Sequence, residues 1–175
     1  MNKISVFLDS SRPGFPGDAS PGRGMGRSPM SVILRLWRFF MLIDSHCHLN
    51  SDELREDADA LVRRAAEAGV GRMVVVGCDL EESREAVGMA HRFKESGVYA
   101  AVGVHPHEAS RYADGLPEAL LALAADERVV ALGEAGLDYY YDHSPRDVQR
   151  SVFRMHLEWA AAVRKPLVLH VRDAM

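Results

Sequence analysis

From Met41 onward the chain alternates short β-branched runs with amphipathic stretches of helical length, and that alternation leaves few folds open. The runs predict strands over Leu42–Ser45, Met73–Gly77, Tyr99–Val104, Val129–Gly133 and Leu167–His170. The stretches between them predict helices over Asp52–Ala68, Glu81–Glu95, Pro117–Ala125 and Pro145–Val163. Ser144 followed by Pro145 reads as an N-cap with proline at the first helical position. Gly69 and Gly97 stand just past two helix ends, where a left-handed residue closes the last turn. Such a string implies a parallel sheet covered by helices. Strand centres recur about every 30 residues, which suits both a barrel and a doubly wound sheet.

The polar residues choose between the two. Strand one runs into Asp44, Ser45, His46, Cys47 and His48, and strand three into His105, Pro106 and His107. Strand four runs into Glu134 and Asp138, and strand five into His170, Arg172 and Asp173. Strand two, ending in Gly77, Cys78 and Asp79, is less telling. In a (β/α)₈ TIM barrel the site is assembled at the C-terminal rim from the ends of several strands. A dinucleotide-binding sheet instead wants a glycine-rich turn after strand one, and His46-Cys47-His48 is not one. The expected fold class is therefore α/β, a TIM-barrel type, of which about the first five β/α units are present.

Residues 1–40 read differently. Pro13, Pro16, Pro21 and Pro29 are spread among Gly, Ser and Arg, a composition that cannot bury a core and is expected to be disordered. The run SVILRLWRFF at 31–40 is too short to span a bilayer, and Arg35 and Arg38 make it a poor secretory signal. An organellar transit peptide is one alternative. The plainer reading is a start assigned too early, with Met41 as the working start and 41–175 as the folded unit. The segment also hides a charge asymmetry. Six basic and two acidic residues lie in 1–40, so the other 15 basic and 23 acidic residues leave the body at −8. An acidic body repels a phosphate backbone unless cations intervene. That argues against a duplex-DNA binder with a basic face, and fits an enzyme that meets phosphate through divalent metals. Cys47 and Cys78 carry no CxxC spacing, so neither a disulfide framework nor a zinc ribbon is indicated. A reducing compartment such as the cytoplasm fits.

His46 and His48 are the sharpest single feature. On a strand, residues i and i+2 face the same side, so both imidazoles can reach one ion from inside the barrel. Cys47 then points the other way and reads as core. A lone histidine is usually a satisfied core residue. Two at this spacing, with Glu134 and His170 at equivalent rim positions, weigh against that. A carboxylate such as Glu134 after an apolar strand needs a cation or donors beside it.

Four segments carry a resemblance beyond patterning: IDSHCHL, GVHPH, GEAGLDYY and QRSVFRMHLEWAAAVRKPLVLHVRDA. Together, in order, they resemble the successive signatures of the TatD family of metal-dependent hydrolases, and the match covers essentially all of Met41–Met175. The resemblance implies that His46 and His48 bind one metal, that Glu134 bridges two and is catalytic, and that His170 belongs to the second. Two divalent ions are implied, with Mg²⁺, Mn²⁺ and Zn²⁺ all suiting such donors. The implied reaction is hydrolysis of nucleic-acid phosphodiesters by a water that two metals activate. The substrate expected is DNA, attacked 3'–5' as single strands, with no membrane partner. His105 resembles the family's rim histidine and is expected to contact substrate phosphate, or else merely to open a helix. Arg172 is expected to pair either with phosphate or with Asp173 or Asp138 at the rim. Tyr139, Tyr140 and Tyr141 can stack on bases or pack the rim.

Two departures stand out. His156 occupies a position where the family often has a second glutamine; it is expected to face the helix layer without chemistry. A full barrel takes about 250 residues, and about 135 run from Met41 to Met175. The family's later histidine and late aspartate have no counterpart here, so truncation is expected, with strands one and five left as open edges. An amidohydrolase acting on another ester or amide, and an inactive truncated fragment, remain the rival readings.

Overall fold

A computed structural model describes residues 41–174. The expectations for 1–40 fall outside those residues. Five strands form one sheet: β1 (Leu42–Cys47), β2 (Val70–Val76), β3 (Val98–Val102), β4 (Val129–Asp138) and β5 (Leu167–Arg172). They lie in the order β1-β2-β3-β4-β5 and every neighbouring pair is parallel. The connections carry α1 (Ala58–Glu67), α2 (Leu80–Arg92), α3 (Glu118–Leu123) and α4 (Arg146–Val163). The sheet curls into part of a barrel, so the expected fold class holds. β1 and β5 are its two edges.

The strands alternate as a sheet buried on both faces requires. Met73 and Val75 on β2, with Val98, Ala100 and Val102 on β3, pack outward against the helices. Val76, Ala101 and Ala131 turn inward and form a smaller cluster with Val74 and Val168. Val75, Val98 and Val102 are fully buried. Each contributes about 2 kcal/mol by leaving water. Cys47 packs with the outer cluster and its thiol donates to the Val74 carbonyl at 3.4 Å. Burial pushes that thiol up to about 12, so it stays protonated, as expected of a core residue.

Several boundaries differ from the sequence reading. β4 continues five residues past Gly133 to Asp138. The helix expected from Asp52 begins only at Ala58. Ser51 opens a turn instead: its carbonyl accepts the N–H groups of Leu54 and Arg55. A 3-10 turn over Pro106–Tyr112 lies outside the four predicted helices; it is opened by His105, the second of the two readings given for that residue. Ser144 is not a cap. Its hydroxyl donates to the His107 carbonyl at 2.9 Å and accepts the Ser110 N–H at 3.0 Å, stitching that turn to the entrance of α4. Gly69 and Gly97 do take positive φ, +90° and +75°.

His156 on α4 is fully buried. Its Nε2 accepts the Val104 N–H at 3.0 Å and its Nδ1 donates to the Val152 carbonyl at 2.9 Å. Burial pushes its pKa down. A depressed imidazole gives stability that is complete above the ordinary histidine range and lost as pH falls, because the unfolded chain takes up the proton first. The urea midpoint is therefore expected to drop between about pH 7.5 and pH 5.5. His156→Leu should start lower, by about 1–3 kcal/mol for the stranded Val104 N–H, yet show a flatter pH slope. An unchanged slope in the variant removes His156 from the account.

Candidate metal centre

Two rows of side chains meet where the strands end. His46 and His48 leave the end of β1 with their Nε2 atoms 3.1 Å apart. Glu134 rises from β4 between them and β5. Its Oε2 lies 3.2 Å from His46 Nε2, and its Oε1 lies 3.0 Å from His170 Nδ1. His105, at the mouth of the 3-10 turn, brings Nε2 within 3.1 Å of the same His170 nitrogen. Two compact groups result, each of a size to surround one cation: His46, His48 and Glu134, and His105, Glu134 and His170; in the second, His105 turns a protonated nitrogen inward, so Glu134 and His170 are its lone-pair donors. Glu134 is common to both and turns a different oxygen to each. The donor chemistry, imidazole nitrogen plus carboxylate, fits a divalent transition ion or zinc. Of the expected site residues, His46, His48, His105, Glu134 and His170 are thus brought together.

Burial alone would raise the Glu134 carboxyl, but hydrogen bonds with His170 and His46 more than cancel it and hold the group far below the usual carboxylate range. His170 is raised, first by its contact with Glu134, against burial, and then by Asp138. His105 goes the other way, to about 4, through burial and then the neighbouring His170. It is a neutral imidazole. Its Nδ1 accepts the His107 N–H at 3.2 Å, so its one proton sits on Nε2, facing the centre. A cavity of about 330 Å³ adjoins these groups, lined among others by His48, His105, His107, Glu134 and Arg111.

Arg172 lies apart from this cluster. Its guanidinium covers the rings of Tyr140 and Tyr141, 4.2 and 4.6 Å from their centroids. The alternative ion pair with Asp138 or Asp173 is not formed. Asp138 is taken by His107 and His170, and Asp173 is in none of the ion pairs among the described residues. The tyrosines divide. Tyr140 and Tyr141 are 59% and 50% exposed, whereas Tyr139 packs under Arg146, with its hydroxyl accepting from Arg150.

Two residues with structural parts to play were given no site role from the sequence. Asp138 is fully buried, and its Oδ2 sits 2.8 Å from His107 Nε2 and 3.0 Å from His170 Nε2. The signal existed: Glu134, Gly136 and Asp138 alternate on one strand, so the two acids share a face. Gln149 on α4 brackets the Asp138 main chain, accepting its N–H at 2.8 Å and donating to its carbonyl at 3.1 Å. Nothing local in the sequence marks Gln149.

Comparison with known proteins gives the family. The family model described as TatD-related DNase matches residues 43–175. The uncharacterized metal-dependent hydrolase YabD of Bacillus subtilis is 40% identical over 134 residues, covering 77% of this chain and 52% of that protein. The 3'-5' ssDNA/RNA exonuclease TatD of Klebsiella pneumoniae is 38% identical over 133 residues, covering 76% and 50%. Among solved structures, YJJV, a TatD homologue from Escherichia coli, superposes with a TM-score of 0.65 at 29% identity over 75% of this chain and 51% of its own. A TatD-family hydrolase from Entamoeba histolytica gives 0.69 at 24% identity over 75% and 50%, a likeness of fold. The chain spans about half the length of the curated relatives it matches. With the family model covering nearly every described residue, and its strand ends carrying the clustered donors, this chain belongs to the TatD-related DNase family.

Proposed function

We propose that these residues are the metal-binding half of a nuclease centre that hydrolyses phosphodiester bonds in single-stranded nucleic acid, working from the 3' end. The observation that carries this reading is the split carboxylate: Glu134 Oε2 faces His46 while Oε1 faces His170. A carboxylate so disposed can bridge two divalent ions, Mg²⁺, Mn²⁺ or Zn²⁺, one on His46 and His48 and the other on His170. When bound, such ions supply Lewis acidity toward the phosphodiester and its attacking water.

The chain's own groups do the rest. His105 offers a neutral Nε2–H to a phosphate oxygen, without adding charge that would repel the cations. Arg172, stacked on Tyr140 and Tyr141, keeps its guanidinium edge free for a neighbouring phosphate. Tyr140, 59% exposed, offers an unstacked base the ring surface that Arg172 leaves open, whereas Tyr141 is already stacked on His143. The acidic body makes cation-mediated contact the favoured route to a polyanion. A cytoplasmic setting suits the two reduced cysteines.

Calorimetric titration with Mn²⁺ and Zn²⁺ tests the metal reading directly; two ions per chain are expected, and no binding of either ion sinks it. Digestion of 5'-labelled single-stranded DNA tests the chemistry, with shortening from the 3' end expected. For Arg172, replacement by alanine should weaken oligothymidylate binding and flatten the slope of log K against log salt by roughly 0.7. A slope identical to that of the wild type takes Arg172 out of the substrate contact.

A further inference from the structure

Asp138 ends a chain of hydrogen bonds whose direction is set at both ends. At the first end the His107 backbone N–H donates to His105 Nδ1. An amide N–H can only donate, so neutral His105 carries its proton on Nε2. That Nε2–H points at His170 Nδ1, 3.1 Å away; Glu134 Oε1 lies 3.0 Å from the same nitrogen, so Nδ1 presents a lone pair there once a cation takes the place of the proton between them. The proton of a neutral His170 is then on Nε2, 3.0 Å from Asp138 Oδ2. At the far end Asp138 accepts on both sides. Oδ1 takes the N–H groups of Tyr140 and Tyr141 at 3.1 and 2.9 Å, and Oδ2 takes His107 Nε2–H as well as His170. Gln149 fixes the main chain beneath it.

We infer that Asp138 is a positioning residue whose carboxylate locks the ring angle and tautomer of His170, so that the Nδ1 lone pair is turned toward Glu134. The inference rests on the two-cation reading above. Its physical basis is that a ligand imidazole has one nitrogen for the metal, and whatever holds the other nitrogen decides which one that is. Asp138 does so from a fully buried position, where a carboxylate has little freedom to swing. His107 takes its place on the same oxygen, so one ring from the 3-10 turn and one from β5 are held against one acceptor.

The isostere makes the test sharp. In Asp138→Asn the two backbone N–H groups of Tyr140 and Tyr141 keep the amide oxygen on their side. The NH₂ then faces the histidines, so His170 Nε2 must accept and the proton moves to Nδ1, where the lone pair was. Zn²⁺ titration of the full 175-residue chain should give two ions for the wild type. In Asp138→Asn one ion should bind 10- to 100-fold more weakly and the other within about threefold of the wild type. Two ions of wild-type affinity in the variant overturn the inference and leave the metal reading intact. No ion in the wild type overturns the metal reading, and the inference falls with it. A second measurement needs no variant. Long-range ¹H–¹⁵N spectra of the Zn²⁺-loaded wild type should put the His170 proton on Nε2; a proton on Nδ1 overturns the inference.

Discussion

Under the two-ion nuclease reading proposed above, replacing Glu134 with alanine is expected to cost both divalent ions at once, along with all metal-dependent cleavage of single-stranded DNA. Each donor group contains this carboxylate, and each turns to a different oxygen of it. A change at His48 should weaken mainly one ion, whereas Glu134→Ala takes the shared ligand from both. A transition state that loses several kcal/mol of cation stabilisation slows on the order of a thousandfold or more. The wild-type rate, whatever its height, is the reference. Calorimetry and a gel assay on the same preparation check the two halves together, with circular dichroism to confirm the fold. Retained turnover at a tenth of the wild-type rate would remove Glu134 from the bridge.

Gly136→Ala carries the second large effect, on stability. Gly136 has φ +154° and pairs with His170 across the β4–β5 ladder. A Cβ there would lie 1.9 Å from the His170 carbonyl oxygen, inside any tolerable contact. The collision is with backbone, so no rotamer relieves it. The strands must part or β4 must shift. Strain at an unfavourable φ and overpacking together come to about 2–5 kcal/mol. Urea denaturation should show that loss as a lower midpoint at constant slope. Because His170 sits at the collision, its metal site should weaken in the same variant. An unfolding free energy within about 0.5 kcal/mol of wild type would mean that the ladder is looser than its register implies.

The sequence made the strands readable because each is a compact apolar run between turn residues, and β1 and β3 begin within one residue of their expected starts. β4 was read five residues short for a physical reason. Gly133 and Gly136 interrupt its β-branched pattern, and glycine usually ends a strand. Here the missing side chains let β5 approach instead. The ligands were legible because strand alternation by itself turns His46 and His48 to one side. Asp138 was not assigned a part, since its partner His170 is 32 residues away and no local periodicity encodes that contact. Ser144 shows the opposite error. A serine before proline has the right chemistry for a cap, but the 3-10 turn beside it offered a carbonyl and an N–H that suited its hydroxyl better. The fate of Arg172 could not be read locally either, because stacking on Tyr140 and Tyr141 depends on the bend after β4.

Gln149 and His156 stand seven positions apart on α4, two helical turns, and so on one stripe of the helix. The first grips the end of β4 through Asp138, the second the end of β3 through Val104. The helix is therefore a gauge bar for the rim, and its pitch spaces the Glu134 strand from the His105 loop. Adding or deleting one residue between 150 and 155 would swing one grip about 100° off its strand while leaving every ligand unchanged in the sequence. Selection acting on the outer shell of this protein can in that way retune its mouth without touching a single donor atom.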